Sequence, residues 1–487
     1  MCPIPKIWTP QKSKISIGVC CFLTITLLLG HPQPARADPG PISSDEDIIR
    51  YLNHTGLLND LGLSPGEALT RLQSIDVSRH QLHPAALSIV AASEPPPQPA
   101  YLAGEFMETE AIVITWPTSY PRHWSAGAQM VKHIVSAGAC VYILVDNVFW
   151  QKAAELYLAQ DTAHSAALDL TRVKFLHIET NRIWARDYAP FSIRSTRGTV
   201  FVQGNVIPNV AWPQSSDASV GLDIAGYFSQ PFHRLPLILE GGNLITDGHG
   251  TCLMLDTILY WNPQLSVATV KQLLTEYLGC TRVILLPALP GERTGHIDMI
   301  AMYLNETTLL VAQSEPAQQW YETLEAIAAY LSQTPSGSGQ NYQIERVKLA
   351  NPNHTSVPFW SYTNSLIVND TVIVPAFGEE HHDREALETF RHLMPEYRIV
   401  SVSFGVMPVG AVHCSTMQIV VDASNTPSDK MRPWLFMQTT PSDNLHRVDT
   451  AQSFALNNSL LQAEVLLSRH LPQKLCGRVV CIHVPAK

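Results

Sequence analysis

From about Phe106 onward, short apolar and β-branched runs alternate with stretches in which apolar residues recur at every third or fourth position. The short runs predict strands over Ala111–Trp116, Cys140–Val145, Val173–Ile178, Thr199–Gln203, Thr251–Leu255, Arg282–Leu286, Met299–Tyr303, Thr308–Ala312, Leu366–Val374 and Met417–Val421. The longer spacing predicts helices over Ala126–Ala137, Val148–Gln160, Val267–Leu278, Gln318–Leu331 and Arg384–Met394. Such alternation marks an α/β chain of many strands. Upstream, residues 38–93 read as helical, with Ile48, Ile49, Leu52, Leu57, Leu58 and Leu61 on one apolar face. They predict a small helical accessory or pro-segment. The cluster Glu94-Pro95-Pro96-Pro97-Gln98-Pro99 cannot continue a helix, so residues 94–105 read as a linker and domain boundary.

The first residues follow a different pattern. Lys6, Lys12 and Lys14 precede an apolar run from Ile15 to Leu29, and Ala35-Arg36-Ala37 supplies a small-x-small cleavage site. Residues 1–37 are therefore expected to be a signal peptide, with the mature chain secreted or periplasmic and free of the membrane after cleavage. An uncleaved anchor is the other reading, although the run falls short of the ~20 residues a comfortable span needs.

Composition narrows the class. The 487 residues are 46% hydrophobic and 15% charged, a globular profile, and the formal net charge of -10 lacks the basic excess of a nucleic-acid binder. Losing the leader removes Lys6, Lys12, Lys14 and Arg36 and no acid, which leaves the remainder more acidic still. Cys140, Cys252, Cys280, Cys414, Cys476 and Cys481 remain beyond the leader. Export permits disulfides, and Cys476 with Cys481, flanking a short turn, is the expected pair. No Gly-x-Gly-x-x-Gly or Walker-type loop follows a strand, so nucleotide binding has no support.

Polar clusters punctuate the strands: Trp184-Ala185-Arg186-Asp187-Tyr188-Ala189-Pro190, Glu240-Gly241-Gly242-Asn243, Gly295-His296-Ile297-Asp298, and His413-Cys414-Ser415-Thr416. Each places one or two cation-binding or proton-moving groups at a strand end or turn, where a rigid scaffold carries function. Taken singly, each also has a plain structural reading. Cys414 lies among Val409, Val412, Met417 and Ile419 like a core cysteine, and Asp187 could pair with Arg186. His296 and Asp298, two apart on a strand, would share a face, whereas Trp184 could be core and Asn364 the start of a turn. Glu240 either enters a pocket or holds the Gly241-Gly242 turn. His413 is not expected to serve Cys414, because neighbours on a strand point to opposite faces.

In this order, Trp-x-Arg-Asp-x-x-Pro, Glu-Gly-Gly-Asn, Gly-His-x-Asp and a late His-Cys-x-Thr resemble the agmatine deiminase and bacterial (Porphyromonas-type) peptidylarginine deiminase family of guanidino-group-modifying enzymes. Ser361 to Asn369, followed by Val372-Ile373-Val374-Pro375, adds to the likeness, which runs from about Phe106 to Val421. The resemblance implies a pentein fold, a five-bladed α/β propeller of ββαβ modules around a central pocket, within a catalytic domain spanning 106–430 and followed by an extension over 431–487. It also implies the site: Cys414 as nucleophile, His296 as acid and base, Asp187 and Asp298 as guanidinium clamp, Asn364 as support and Trp184 as aromatic wall.

The chemistry agrees with those residue types. A guanidinium stays protonated and offers five N–H donors in a fork, which two carboxylates can grip. Its carbon is a poor electrophile, for which a thiolate is a suitable nucleophile. No metal or cofactor is required, and Glu379-Glu380-His381-His382-Asp383 reads as a helix start rather than a metal site. The substrate is either a small guanidino compound such as agmatine or an arginine-containing peptide. Pro208-Asn209-Val210-Ala211-Trp212-Pro213 lacks the arginine with which peptide-acting relatives hold a carboxylate, and Val409-Gly410 replaces a glycine pair. Two further readings fit the same residues: a guanidinium- or amine-binding module without turnover, and an amidinotransferase.

Overall fold

The computed structural model describes residues 42–79, 81–82, 91–160, 168–207, 215–350, 359–404 and 410–419. The leader, the 431–487 extension, Cys476 and Cys481, Pro208–Pro213 and Val409 lie outside them. Among the described residues nineteen strands run in chain order: β1 (Gln81–Leu82), β2 (Ala91–Ala92), β3 (Ala100–Leu102), β4 (Ala111–Thr115), β5 (Cys140–Val145), β6 (Val173–His177), β7 (Phe191–Ser195), β8 (Gly198–Asn205), β9 (Phe232–Ile238), β10 (Ile245–Thr246), β11 (Thr251–Leu255), β12 (Arg282–Leu286), β13 (Ala301–Tyr303), β14 (Thr308–Gln313), β15 (Gln343–Lys348), β16 (Leu366–Val368), β17 (Thr371–Ala376), β18 (Arg398–Ser403) and β19 (Thr416–Ile419).

One unit recurs. β7 pairs antiparallel with β8, the chain crosses through the helix Ser215–Phe228, and β9 returns parallel to β8. The same antiparallel-then-parallel pattern joins β10–β11–β12, β13–β14–β15 and β16–β17–β18. Their crossovers are the helices Val267–Leu278, Tyr321–Ser332 and Glu380–Leu393. A fifth copy is assembled from both ends of the region. β19 pairs antiparallel with β4, the helix Trp124–Ser136 crosses over, and β5 lies parallel to β4. A late strand thus completes an early sheet, which places Cys414, just before β19, beside turns from the middle of the chain.

Local chemistry explains the crossovers. The Val267–Leu278 helix starts where Ser266 Oγ accepts the Thr269 N–H at 3.1 Å and stops at Gly279, whose φ of 72° admits glycine without strain. It buries Val270, Leu274, Tyr277 and Leu278 against the sheet. The helix over Ser215–Phe228 has no counterpart in the apolar spacing, because Gly221 and Gly226 dilute it. Gly221 is there for close packing: a Cβ would lie 2.6 Å from Gln203 Oε1.

The expected strand over Leu366–Val374 is a hairpin. β16 and β17 are joined at Asn369 and Asp370, with Asn369 at φ 52°. Its side chain accepts the Thr109 N–H at 2.9 Å and donates to the Ala137 carbonyl at 3.0 Å, tying this module to the next.

The segment before the prolines packs into the same core as the modules. Helices Asp45–His54, Leu57–Asp60 and Pro65–Ser74 bury Ile48, Leu52, Leu57, Leu58, Ala68 and Leu72 in one cluster with Trp124, Trp150 and Tyr157. Tyr51 meets Trp150 edge-on at 5.0 Å, and Lys152 Nζ reaches Asp45 at 2.9 Å. The prolines are likewise not a boundary. β2 before them pairs with β9 and β3 after them with β7, so they cross one edge-to-edge sheet. Among the described residues the disulfide is Cys252–Cys280, joining β11 to the turn before β12; the expected C-terminal pair lies outside them.

Candidate active site

Each module is entered through a turn that carries polar side chains. Asp187 precedes β7, Glu240 precedes β10, His296 and Asp298 precede β13, Asn364 precedes β16, and His413 and Cys414 precede β19. Equivalent positions in repeated modules come together, which is why clusters so distant in sequence converge.

Cys414 is 3% exposed. Its Sγ lies 3.1 Å from Asn364 Nδ2, which donates to it, and donates in turn to Asp298 Oδ2 at 3.4 Å. Asn364 Oδ1 accepts the N–H groups of Ala411 and Cys414, at 2.9 and 3.3 Å, and so holds the turn as well as the sulfur. Cys414 sits on that turn rather than on a strand, so the alternation rule does not apply to its neighbour. His413 does reach the site: its Nδ1 is 2.8 Å from Asp298 Oδ2 and its Nε2 is 2.7 Å from Glu105 Oε2. Trp184 lies against Gly410, where a Cβ would meet Trp184 at 3.1 Å and Cys414 Sγ at 3.0 Å, so the indole borders the thiol.

On the other flank, His296 Nε2 is 3.1 Å from Glu240 Oε2, and its Nδ1 is 3.8 Å from Asp187 Oδ1. Asp298 lies on a 3-10 turn over Ile297–Met299 and His296 immediately precedes it, rather than both lying on a strand, yet both are buried. Gly242 makes room for them: a Cβ there would stand 2.5 Å from His296 Nδ1 and 3.1 Å from Asp298 Oδ2. Arg182 Nη1 bonds Glu240 Oε1 at 2.6 Å and lies 3.6 Å from Asp187 Oδ2, while its Nε donates to Asp217 at 2.8 Å. Glu240 therefore enters the pocket and orients His296. Arg186 does not pair with Asp187; it turns away to Glu105 and to the Thr416 carbonyl.

The charges are strongly coupled. Burial opposes protonation of His296, but Glu240 and Asp187 overcome it and push the imidazole up to about 10, so it rests charged. Burial and Glu240 push Asp187 up to about 7, against the pull of His296 and Arg182. The Cys414 thiol is pushed well above its ordinary value by burial and by Asp298 and Asp187. Asp187 Oδ1, Asp298 Oδ1 and His296 Nδ1 are buried without a hydrogen-bond partner in the protein. An unpaired buried polar atom costs about 1–3 kcal/mol, so the two carboxylate oxygens mark a place for the N–H donors of a ligand, while the charged His296 presents Nδ1–H as a donor. Among the described residues, Asp187, Glu240 and His296 also have the spacing to hold a cation, within 4.8 Å of one another. Arg182 already sits on both carboxylates of that trio.

Arg182 and Glu105 were missed by the sequence reading. Arg182 stands two residues before Trp184, within the same cluster, so the density of polar residues there was an available signal. Glu105 had none, because it is far upstream and alone.

Five modules of hairpin plus parallel return, with a thiol, an imidazole and carboxylates at their entry turns, define a pentein of the guanidino-modifying class. The agmatine deiminase of Enterococcus faecalis shares this fold, with a TM-score of 0.60 and 23% identity over 68% of this chain and 99% of that one. So does a substrate-bound Cys-to-Ser variant of the C. jejuni agmatine deiminase, with a TM-score of 0.56 and 19% identity over 66% and 97%. Residues 101–419 match the model of the Porphyromonas-type peptidyl-arginine deiminase family, and the chain belongs to that family. The agmatine deiminase of Stutzerimonas stutzeri is 25% identical over 354 residues, 65% of this chain and 95% of the relative. That of Ectopseudomonas mendocina is 26% identical over 359 residues, with the same coverage.

Proposed function

We propose that this chain is an exported hydrolase that deiminates a small guanidino compound of the agmatine type, releasing ammonia and a ureido product. The observation that carries this reading is the pair of buried acceptor oxygens without a partner, Asp187 Oδ1 and Asp298 Oδ1, on the two carboxylates that act on the Cys414 thiol. The two oxygens accept from the guanidinium fork and set its carbon before the sulfur. The bound cation offsets the carboxylates that hold the thiol protonated, so the thiolate forms when substrate is present. Sulfur adds to the carbon, His296 gives its proton to the departing nitrogen, and ammonia leaves a thiouronium. His296, now neutral, takes a proton from water as the hydroxyl adds; collapse releases the urea and returns the thiolate.

Family membership and relatives of near-full-length coverage support the reaction class, and the curated relatives support agmatine in particular. A peptidyl-arginine substrate is the second reading, favoured by the family's description. Export is supported by the leader pattern and by the Cys252–Cys280 disulfide, a bond that persists in oxidising compartments.

The test is incubation of the mature protein with agmatine, free arginine and an arginine-containing peptide, measuring ammonia and ureido product. Turnover of agmatine that disappears in Cys414→Ala is the expected result. Bound ligand without product, or an amidino adduct without ammonia, would overturn hydrolysis. Cell fractionation with N-terminal sequencing checks export: an intracellular protein beginning at Met1 contradicts it, and an exported one beginning at Asp38 agrees.

A further inference from the structure

Behind the nucleophile lies a second charged group that the reaction above does not use. His413 is 3% exposed and bridges two carboxylates, Asp298 in the pocket and Glu105 outside it. Glu105 is also paired with Arg186. Arg186 in turn holds the Cys414 turn, since its backbone N–H donates to the Cys414 carbonyl at 3.0 Å and its Nε to the Thr416 carbonyl at 2.8 Å. The far end of this row faces away from the substrate pocket. Glu105 and Arg186 line a separate cavity of about 30 Å³ with Ser192, Leu244, Thr246 and Met417, large enough for one or two waters. Arg186 Nη2 and Ser192 Oγ are unpaired protein atoms there.

We propose that Glu105 and His413 are positioning residues for the deimination site, a carboxylate–imidazolium brace that fixes Asp298 and lowers the cost of forming the Cys414 thiolate. Asp298 Oδ2 receives both His413 Nδ1 and the Cys414 thiol, whereas Oδ1 has no partner. The brace thus assigns one oxygen to the protein and leaves the other for substrate. The cation on His413 also partly neutralises the carboxylate 3.4 Å from the sulfur, which otherwise repels a thiolate. Three neighbours and burial decide whether His413 keeps its proton. Asp298 and Glu105 hold it, and burial and the Arg186 guanidinium oppose it. Cys414 follows in sequence and gains a negative charge only in the reactive state. With Glu105 neutralised, His413 keeps Asp298 but loses its second carboxylate while the Arg186 guanidinium remains, which shifts it toward its neutral form.

This inference rests on Cys414 being the nucleophile, and its test does not need turnover. The wild type, Glu105→Gln, Glu105→Asp and His413→Gln are alkylated across a pH series with 2-chloroacetamidine, a small cationic amidine, and with neutral iodoacetamide. Modification is read by mass spectrometry on the Cys414 peptide, because Cys140 is also a free thiol. Glu105→Gln and His413→Gln are expected to raise the midpoint of alkylation by about one pH unit, an approximately tenfold slower reaction at fixed pH. Glu105→Asp, which keeps the charge, is expected to restore it. Unshifted midpoints in both neutral variants, with only a lower melting temperature, would overturn the brace. If no guanidino compound is turned over yet the midpoints move as expected, the brace stands and the hydrolytic reading falls.

Discussion

Gly242→Ala tests the placement of His296 and Asp298 without altering any charge in the site. The substitution removes no charge and no hydrogen-bonding group, and Gly242 is not among the residues of positive φ, so backbone strain plays no part. The added Cβ would lie 2.5 Å from His296 Nδ1, whereas ordinary contact begins at 3.4 Å. The ring must therefore retreat by about 0.9 Å, and a misplacement of roughly 1 Å at a reacting group costs about a hundredfold. The same Cβ crowds Asp298 Oδ2 at 3.1 Å, so Asp298 and His296 are disturbed together. Overpacking of this size destabilises by about 1–3 kcal/mol, which leaves a folded protein to assay. Ammonia release from agmatine at saturating and limiting substrate, with circular dichroism to confirm folding, separates the two effects. A folded Gly242→Ala protein with kcat/KM within a factor of two or so of wild type would refute the argument that His296 and Asp298 act from these positions.

Three further expectations follow from the same geometry. His296 is pushed up to about 10 from an ordinary 6.5, so its contribution to stability is complete below pH 6.5 and is lost as the pH rises through about 10. Melting temperatures followed over that window should decline less steeply in His296→Asn than in wild type; Asp187, held near 7, acts at lower pH. Cys252→Ser opens a loop with a sequence separation of 28 and should cost about 3–4 kcal/mol in denaturant unfolding without reductant, with the difference abolished in dithiothreitol. Asn364→Ala leaves the Ala411 and Cys414 N–H groups unpaired and should lower both stability and turnover. Asn364→Asp keeps their acceptor but sets a charge near the sulfur, so it should abolish turnover at a smaller loss of stability, and equal stability losses in the two variants would contradict this.

Much of this protein was legible in one dimension. Helices Val148–Gln160 and Val267–Leu278 begin and end where the apolar spacing places them, and in the second the buried residues Val270, Leu274, Tyr277 and Leu278 repeat with the helical period. The elements that stayed hidden have physical reasons. β9 contains Pro236, which reads as a break but sits exposed next to a register irregularity, where a missing donor is tolerated. β15 and β18 are the outer, parallel strands of their modules and each buries one residue fully, so Gln343–Lys348 and Arg398–Ser403 lack a long apolar run. The chemistry-bearing types at Asp187, His296, Asp298, Asn364 and Cys414 were readable because the motifs that carry them occur in an order that resembles one family, whereas singly each has a structural reading. Which side chains serve them was decided only in three dimensions. Glu105, Arg182 and His413 contribute through charges met across modules, and the pairing of β19 with β4 brings His413 to Glu105 across a sequence separation of 308 residues. Local pattern records what each segment buries. A hydrogen bond between distant segments depends on closure of the fold, and nothing in either segment alone encodes its partner.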